Sequence, residues 1–586
     1  MRISVVLRAV LIIDIIVLLG FAIALSRDYQ DSWILEGLEI PFIVFVATYI
    51  AYCFVEDKIS WTIIFVLIAR CVFLIIPNLK YTWFQGVNFD QNYHFRIIQD
   101  IYNKGYVPAG YSYSGTPFMH LLADAYSITT GSSVLFTFKY LPIMSWLLFP
   151  LVTYSIVRLA APRNQLVLKY AVLVSSIPVE PTLSLVVVGT TFGALLTISL
   201  LSQFVRALHM NTRSYALVAI ISVCALVIAH SYSVTLLAAG LLMTYLAGRS
   251  EFVKDKLKMF GSDRLYMKIL LLLIVLDAAW LMFSAHAFFL SGTQIVQQWA
   301  NAIFGAKPAG GSFTDISWSF FGLSFANQLR IVTVFYGGTL LSLLLTFFGI
   351  LVARRIFHTS KILSFMSAML LSVWLFFVVQ IVSSSARAGL FEYGRLFDFS
   401  YIFAPIFVGV LLYYLQERLH SVKLNFLLCL LLVAVVVIEL YGCQPLLPIA
   451  NSVRSNLPSD EYIIYVGEVN SVYQRSMIVH AEKHIRTGMI ACDSVTENQI
   501  LGLTEYNFSQ SHLWGYPFDE RGRTRLKTEK FDYLLIHVPG KSGSPKVAPE
   551  VGTRSFVLAV AQNSSVIYSN GESYVLAGPF MFNNTP

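Results

Sequence analysis

Runs of roughly 18–22 apolar residues recur along this chain from residue 5 to residue 441, separated by short polar or basic segments. Each is long enough to cross about 30 Å of hydrocarbon as a helix. Backbone N–H and C=O groups find no water inside a bilayer, so only helices and closed barrels span it. Barrel strands would read as short alternating segments, a pattern these runs do not show. The expected fold is an all-α polytopic membrane domain of about thirteen transmembrane helices. They fall near 5–25, 38–55, 60–78, 133–157, 166–178, 184–205, 214–229, 232–248, 269–288, 331–353, 362–384, 400–416 and 424–441. Pro178 and Pro181 follow the short fifth run, which marks it as a bent half-span. Hydrophobic residues make up 56% of the 586 and charged residues 13%, against about 25% charged in soluble domains. Mean hydropathy is +0.68. This balance excludes a cytosolic enzyme, a disordered scaffold and a disulfide-stapled module.

The cations set the orientation. With the N-terminus inside, segments 1–8, 56–60, 158–169, 206–213, 249–268, 354–361 and 417–423 hold 19 Lys/Arg in 68 residues. The opposite segments, 26–37, 79–131, 178–183, 230–231, 289–330 and 385–399, hold 8 in 130. By the positive-inside rule the chain is a multi-pass plasma-membrane protein with a cytoplasmic N-terminus. The net charge of +8 serves that topology. Lys254, Lys256, Lys258, Arg264 and Lys268 read as an anchor to inner-leaflet lipids, with no nucleic-acid partner. Ala22-Ile-Ala24 resembles a signal-peptidase site, but its long run carries Asp14, so an uncleaved anchor is expected. Asp14, Arg70 and Asp277 lie inside spans, where they are expected to pair.

An odd span number divides the chain into a transmembrane domain, 1–441, and an extracytoplasmic α/β domain, 442–586. Segments 461–467, 531–538 and 566–576 read as strands, and Asn570-Gly571 as a two-residue hairpin turn. Residues 474–487 read as a helix. Sequons at Asn507, Asn563 and Asn583 agree with an outward tail. Cys443 and Cys492 could pair there, whereas Cys53, Cys71, Cys224 and Cys429 fall in or beside spans and pack.

Two outward loops, 80–131 and 289–330, are longer than joining helices requires, which is usual for functional loops. In the first, Asp90-x-x-x-His94 puts an acid and an imidazole on one helix face. Phe95, Ile98, Ile101 and Tyr102 predict a helix from about Tyr93 lying on the membrane surface, ended by Gly105 and Pro108. A second helix, Phe118 to Ser127, follows Pro117. Asp90 also suits a plain N-cap, and His94 a packing residue. The second loop carries an amphipathic stretch, Gln294 to Phe304, then Lys307-Pro-Ala-Gly-Gly311, fitting a mobile lid or a plain connector. Between spans eleven and twelve, Arg387, Glu392, Arg395 and Asp398 crowd the outer boundary. Charges there are costly unless paired or functional. An arginine fork fits phosphate oxygens; pairs of Arg395 with Glu392 or Asp398 are the structural alternative. His230-Ser-Tyr-Ser233 suits either a cavity wall or a helix-end polar cluster.

Asp90-x-x-x-His94, then Ile101-x-x-x-Gly105-x-x-Pro108, then Tyr113-x-Gly115-x-Pro117 and His120, resembles the first large external loop of GT-C-type glycosyltransferases. The resemblance is strongest over 80–131 and continues as topology to about 440. It implies an inverting glycosyltransferase that moves a sugar from a polyprenyl-phosphate-linked donor to a glycan, lipid or protein acceptor at the outer face. Asp90 would be the essential acid, as general base or as ligand of a divalent cation, Mg or Mn. Arg395 would meet the lipid phosphate, with His94, Arg387, Glu392 and His230 as further substrate contacts. The topology is similar to that of oligosaccharyltransferase, without its WWD-type motif; His512-Leu-Trp-Gly-Tyr516 is a faint echo. The late acidic motif is at best Phe313-Thr-Asp-Ile-Ser317, and two helices precede the acidic loop. These departures favour single-sugar transfer over en bloc transfer to asparagine. An envelope polysaccharide polymerase or ligase is the alternative. A secondary transporter or flippase would place its polar site at the midplane between repeats.

Overall fold

A computed structural model describes residues 3–27, 32–56, 58–79, 90–108, 112–177, 189–210, 213–249, 263–285, 325–385, 396, 399–419, 426–433, 480–481, 484, 490–492, 533–537, 565–569 and 573–577. In chain order the helices are α1 (Ile3–Arg27), α2 (Ser32–Val55), α3 (Ile59–Leu79), α4 (Asp90–Lys104), α5 (Phe118–Thr130), α6 (Val134–Trp146), α7 (Phe149–Ala160) and α8 (Gln165–Ser176). They continue with α9 (Gly189–Met210), α10 (Arg213–Ala229), α11 (Ser231–Arg249), α12 (Asp263–Phe283), α13 (Phe325–Ile356), α14 (Lys361–Ser385) and α15 (Ala404–Leu419). The chain forms two compact units, 1–82 with 107–448, and 83–106 with 449–586.

In the first unit, five described stretches are long and apolar enough to cross a membrane: Ile3–Phe21, Val134–Ala160, Phe192–Met210, Ser231–Gly248 and Arg264–Phe283. Shorter apolar stretches lie at Ile40–Val55, Ile59–Ile75, Gln165–Ser176, Ser214–Ala229 and Lys361–Phe376. Ile12, Ile16 and Leu19 on α1, and Leu271 and Val275 on α12, are exposed. Water disfavours such faces and lipid tails accept them.

Local chemistry sets the helix ends. The Ser133 hydroxyl accepts from the Phe136 N–H at 3.2 Å ahead of α6, and Asn164 Oδ1 from the Val167 N–H at 3.0 Å ahead of α8. Gly105 (φ 73°) and Gly131 (φ 69°) end α4 and α5 in the left-handed conformation. The run expected to be one span over 133–157 is one apolar stretch, Val134–Ala160, interrupted by a turn at Leu147–Leu148 that separates α6 from α7. Pro150 stands in the first turn of α7, where its missing N–H costs nothing.

The core of this unit is aromatic and closely approached. α15 packs against α8 and α13. A Cβ on Gly409 would lie 2.6 Å from Ala171 Cα, and one on Gly349 would meet the Phe407 backbone. Phe204 meets Tyr266 edge-on, ring centres 5.2 Å apart. Glu56 joins α1 and α2: Arg8 donates to it at 2.6 Å and Tyr52 at 3.0 Å. Lys169 of α8 donates to the Phe54 and Glu56 carbonyls at 3.3 and 3.1 Å. The expected pairing of Asp14, Arg70 and Asp277 is not found: none joins an ion pair among the described residues. Arg70 and Asp277 are buried and Asp14 is half-buried, so two of the three charges are withdrawn from lipid by packing rather than by an ion pair.

The second unit contains α4 and a four-stranded sheet, β1 (Ile490–Cys492), β2 (Tyr533–His537), β3 (Ser565–Ser569) and β4 (Ser573–Ala577), ordered β1-β2-β4-β3. β1 runs parallel to β2, and β4 antiparallel to both β2 and β3. The β3–β4 pairing brackets Asn570-Gly571 as a hairpin requires; those two residues, like 461–467, the asparagines of the three sequons and Cys443, lie outside the described residues. Of 474–487, residues 480, 481 and 484 are helical. The four cysteines in or beside spans are free thiols.

Candidate functional site

α4 starts at Asp90 itself rather than near Tyr93. A first-turn carboxylate lies where the helix dipole favours negative charge; the Asp90 side chain is outside the described atoms. His94 follows one turn later and is buried, as are Phe95, Ile98 and Ile101. Protein therefore covers most of the stripe expected at a membrane surface, and Tyr102 alone of the four is exposed. Asp100 takes charges from both sides on the same helix, Arg96 at 3.3 Å and Lys104 at 2.9 Å. The Gly105 N–H closes the last turn on the Ile101 carbonyl at 2.7 Å.

The rest of this loop belongs to the first unit. A single 3₁₀ turn, Ser112–Gly115, is held by Trp280 of α12, whose Nε1 donates to the Gly115 carbonyl at 2.6 Å. A Cβ at Gly115 would lie 2.6 Å from Ala285 Cα, so no larger residue fits. α5 runs three residues beyond the expected Ser127, and Ser127 donates to Thr137 of α6 at 2.9 Å. His120 and Asp124 stand one turn apart on its buried face. Burial pushes the His120 imidazole down to about 3 and the Asp124 carboxyl up. Sequence reasoning missed Asp124. Its signal was present, because His120-x-x-x-Asp124 repeats the spacing of Asp90-x-x-x-His94.

His230 sits between α10 and α11 and caps α11. Its Nδ1 lies 2.6 Å from the Ser233 hydroxyl and accepts from the Ser233 N–H at 3.3 Å. Gly193 of α9 leaves room for this pair. Arg387, Glu392, Arg395 and Asp398, and the loop 289–324, lie outside the described residues. Among the described residues no three His, Cys, Asp or Glu side chains gather as a metal ligand set.

These elements define a polytopic, mainly helical membrane protein carrying a small sheet. No family model and no curated protein matches the chain. Among solved structures it is similar to the Archaeoglobus fulgidus oligosaccharyltransferase in complex with Zn and sulfate, with 15% identity and a TM-score of 0.44. That match covers 78% of this chain and 59% of the other, so this chain spans under two thirds of that protein. It is also similar to the same enzyme tethered by a disulfide to an acceptor peptide containing the NVT sequon. There the identity is 12%, the TM-score 0.48, and the match covers 82% of this chain and 69% of the other.

Proposed function

We propose that this protein is an inverting glycosyltransferase of the membrane. It takes a sugar from a polyprenyl-phosphate-linked donor and delivers it to a glycan, lipid or protein acceptor at the outer face. The observation that carries this reading is the placement of Asp90 and His94, one turn apart at the start of α4, in the long polar connection that follows α3. An acid at a helix start, in a segment that the sequence places between apolar helices, suits a reaction whose donor is anchored in lipid.

The chemistry is a single displacement. The Asp90 carboxylate takes the proton of the acceptor hydroxyl as its oxygen bonds to the anomeric carbon. The bond from that carbon to the phosphate oxygen breaks, and the polyprenyl phosphate leaves with the electron pair. A general base of this kind contributes roughly 10²–10⁴-fold. Negative charge grows on the phosphate, and the Arg395 guanidinium offers it two parallel donors. His94, Arg387, Glu392 and His230 complete the proposed substrate contacts.

The test is Asp90→Asn, assayed for sugar transfer from a lipid-phosphate donor and for thermal stability. Asn caps a helix about as well as Asp. A purely structural Asp90 would therefore leave transfer near normal, which would sink the proposal. Loss of roughly 10²-fold or more in transfer at unchanged Tm supports it. Titrating the wild type with Mg or Mn then separates a base from a metal ligand.

A further inference from the structure

Two turns that lie 200 residues apart in sequence are bonded together at one end of the first unit. Ser360, in the turn between α13 and α14, donates its hydroxyl to the Ala160 carbonyl at the end of α7, at 2.9 Å. The Ser360 N–H closes its own turn on the Phe357 carbonyl at 2.8 Å. The Phe357 ring lies 6.3 Å from that of Tyr413 on α15. Cations stand on both sides of this joint. Arg158 is in the last turn of α7, and Arg163 is in the turn that follows. Arg354 and Arg355 end α13, and Lys361 begins α14. All of these are exposed, and none joins an ion pair among the described residues. Arg158 gives one N–H to the Tyr154 hydroxyl at 2.7 Å. Glu417 of α15 also reaches this end, where it accepts from the Tyr413 hydroxyl. One carboxylate leaves such a group of cations largely uncompensated.

Along the helices from these charges the surface turns apolar. Leu344, Phe348, Leu351 and Arg355 follow one another at helical spacing on α13, and all four are exposed. Leu151 stands about two turns before Arg158 on α7 and is exposed as well. A cation at the foot of an apolar stripe matches a phospholipid, whose phosphate and acyl chains come in that order. Sorting of cations at membrane insertion acts loop by loop; it does not require distant loops to be bonded together. We propose that this joint binds the headgroup phosphate of an anionic phospholipid. Arg158 and Arg163 hold it from one side and Arg354, Arg355 and Lys361 from the other, with an acyl chain along Leu351, Phe348 and Leu344. Arginine forks suit phosphate oxygens, and a free phosphate has no chain for the stripe. The proposal rests on the membrane reading of the fold and is independent of the transferase reading.

The test uses the purified full chain in detergent, titrated with phosphatidylglycerol or with phosphatidylcholine of the same acyl chains. Wild-type Tm is expected to rise and level off with phosphatidylglycerol and to respond far less to phosphatidylcholine. Inorganic phosphate at the same concentrations should leave it unchanged. Each cation lost from an anionic lipid contact weakens binding roughly fivefold. Arg163→Gln should therefore raise the half-saturating phosphatidylglycerol concentration by about that factor, and the double change Arg354→Gln with Arg355→Gln by about thirtyfold. If the double variant does not fold, Arg163→Gln carries the test. Lys58→Gln is the matched control: it removes an exposed cation outside this joint and should leave the midpoint in place. An unchanging wild-type Tm, equal responses to the two lipids, or an inorganic phosphate response that matches phosphatidylglycerol overturns the proposal. So does a Lys58→Gln shift as large as that of Arg163→Gln, which would mean a diffuse positive field rather than a site.

Discussion

His120 and Asp124 respond to pH in opposite senses. An unfolded chain protonates His120 near pH ~6.5, whereas the folded imidazole refuses the proton until about 3. Stability from His120 is therefore complete above the unfolded value and falls as pH drops through that window, by at most about 1.4 kcal/mol per pH unit. Asp124 holds its proton longer in the folded state, so its stabilisation is present at low pH and is lost as pH rises above about 3.9. Tm measured at pH 7 and pH 5 should fall in the wild type and fall less in His120→Asn. An equal fall in both would show that the imidazole titrates freely. At the proposed phosphate contact, Arg395→Ala should slow transfer by roughly 10²–10³-fold, and Arg395→Lys should recover part of it. Initial rates with a lipid-phosphate donor measure this, and a silent Arg395→Ala beside a damaging Arg387→Ala would move the role to Arg387. Asp90 and His94 were legible because a one-turn spacing is written in the sequence. For His230 both readings, cavity wall and helix-end cluster, were legible; the choice was not, because the bond from the Ser233 N–H that makes it a helix-end cap depends on how the chain turns between α10 and α11.

Close helix contacts carry the elements. The α8–α15 contact leaves no room at Gly409. Gly409→Val should lower stability by about 1–3 kcal/mol, the scale of core overpacking. Gly20→Ala is the matched control, because a Cβ there meets nothing within 4 Å. Thermal unfolding of the two variants in one detergent separates them, and equal Tm values would contradict the packing. Hydropathy located most helices to within a few residues: α10 was expected over 214–229 and spans Arg213–Ala229. It missed the break between α6 and α7, because Trp146-Leu-Leu-Phe149 carries no polar punctuation. Pro150 was the one available sign, since proline belongs to a first helical turn.

For the molecule as a whole, the orientation inferred from Lys and Arg is open to direct test. In a cysteine-free background, cysteines at positions Ser114 and Ser544 should react with an impermeant maleimide on intact cells, and one at Ser262 should not. Labelling at Ser262 alone would invert the scheme. Hydropathy and charge report which segments enter a membrane, because each segment meets lipid separately. They say nothing of long-range grouping: α4 clusters with 449–586, more than three hundred residues away, through burial that no local pattern encodes. The joint at Glu56 has a consequence for descent. Arg8 donates to the Glu56 carboxylate, whereas the bonds from Lys169 to this joint go to main-chain carbonyls, which every residue supplies. Across related chains, positions 8 and 56 should therefore vary as a pair, whereas the identity of residue 56 places no such demand on position 169.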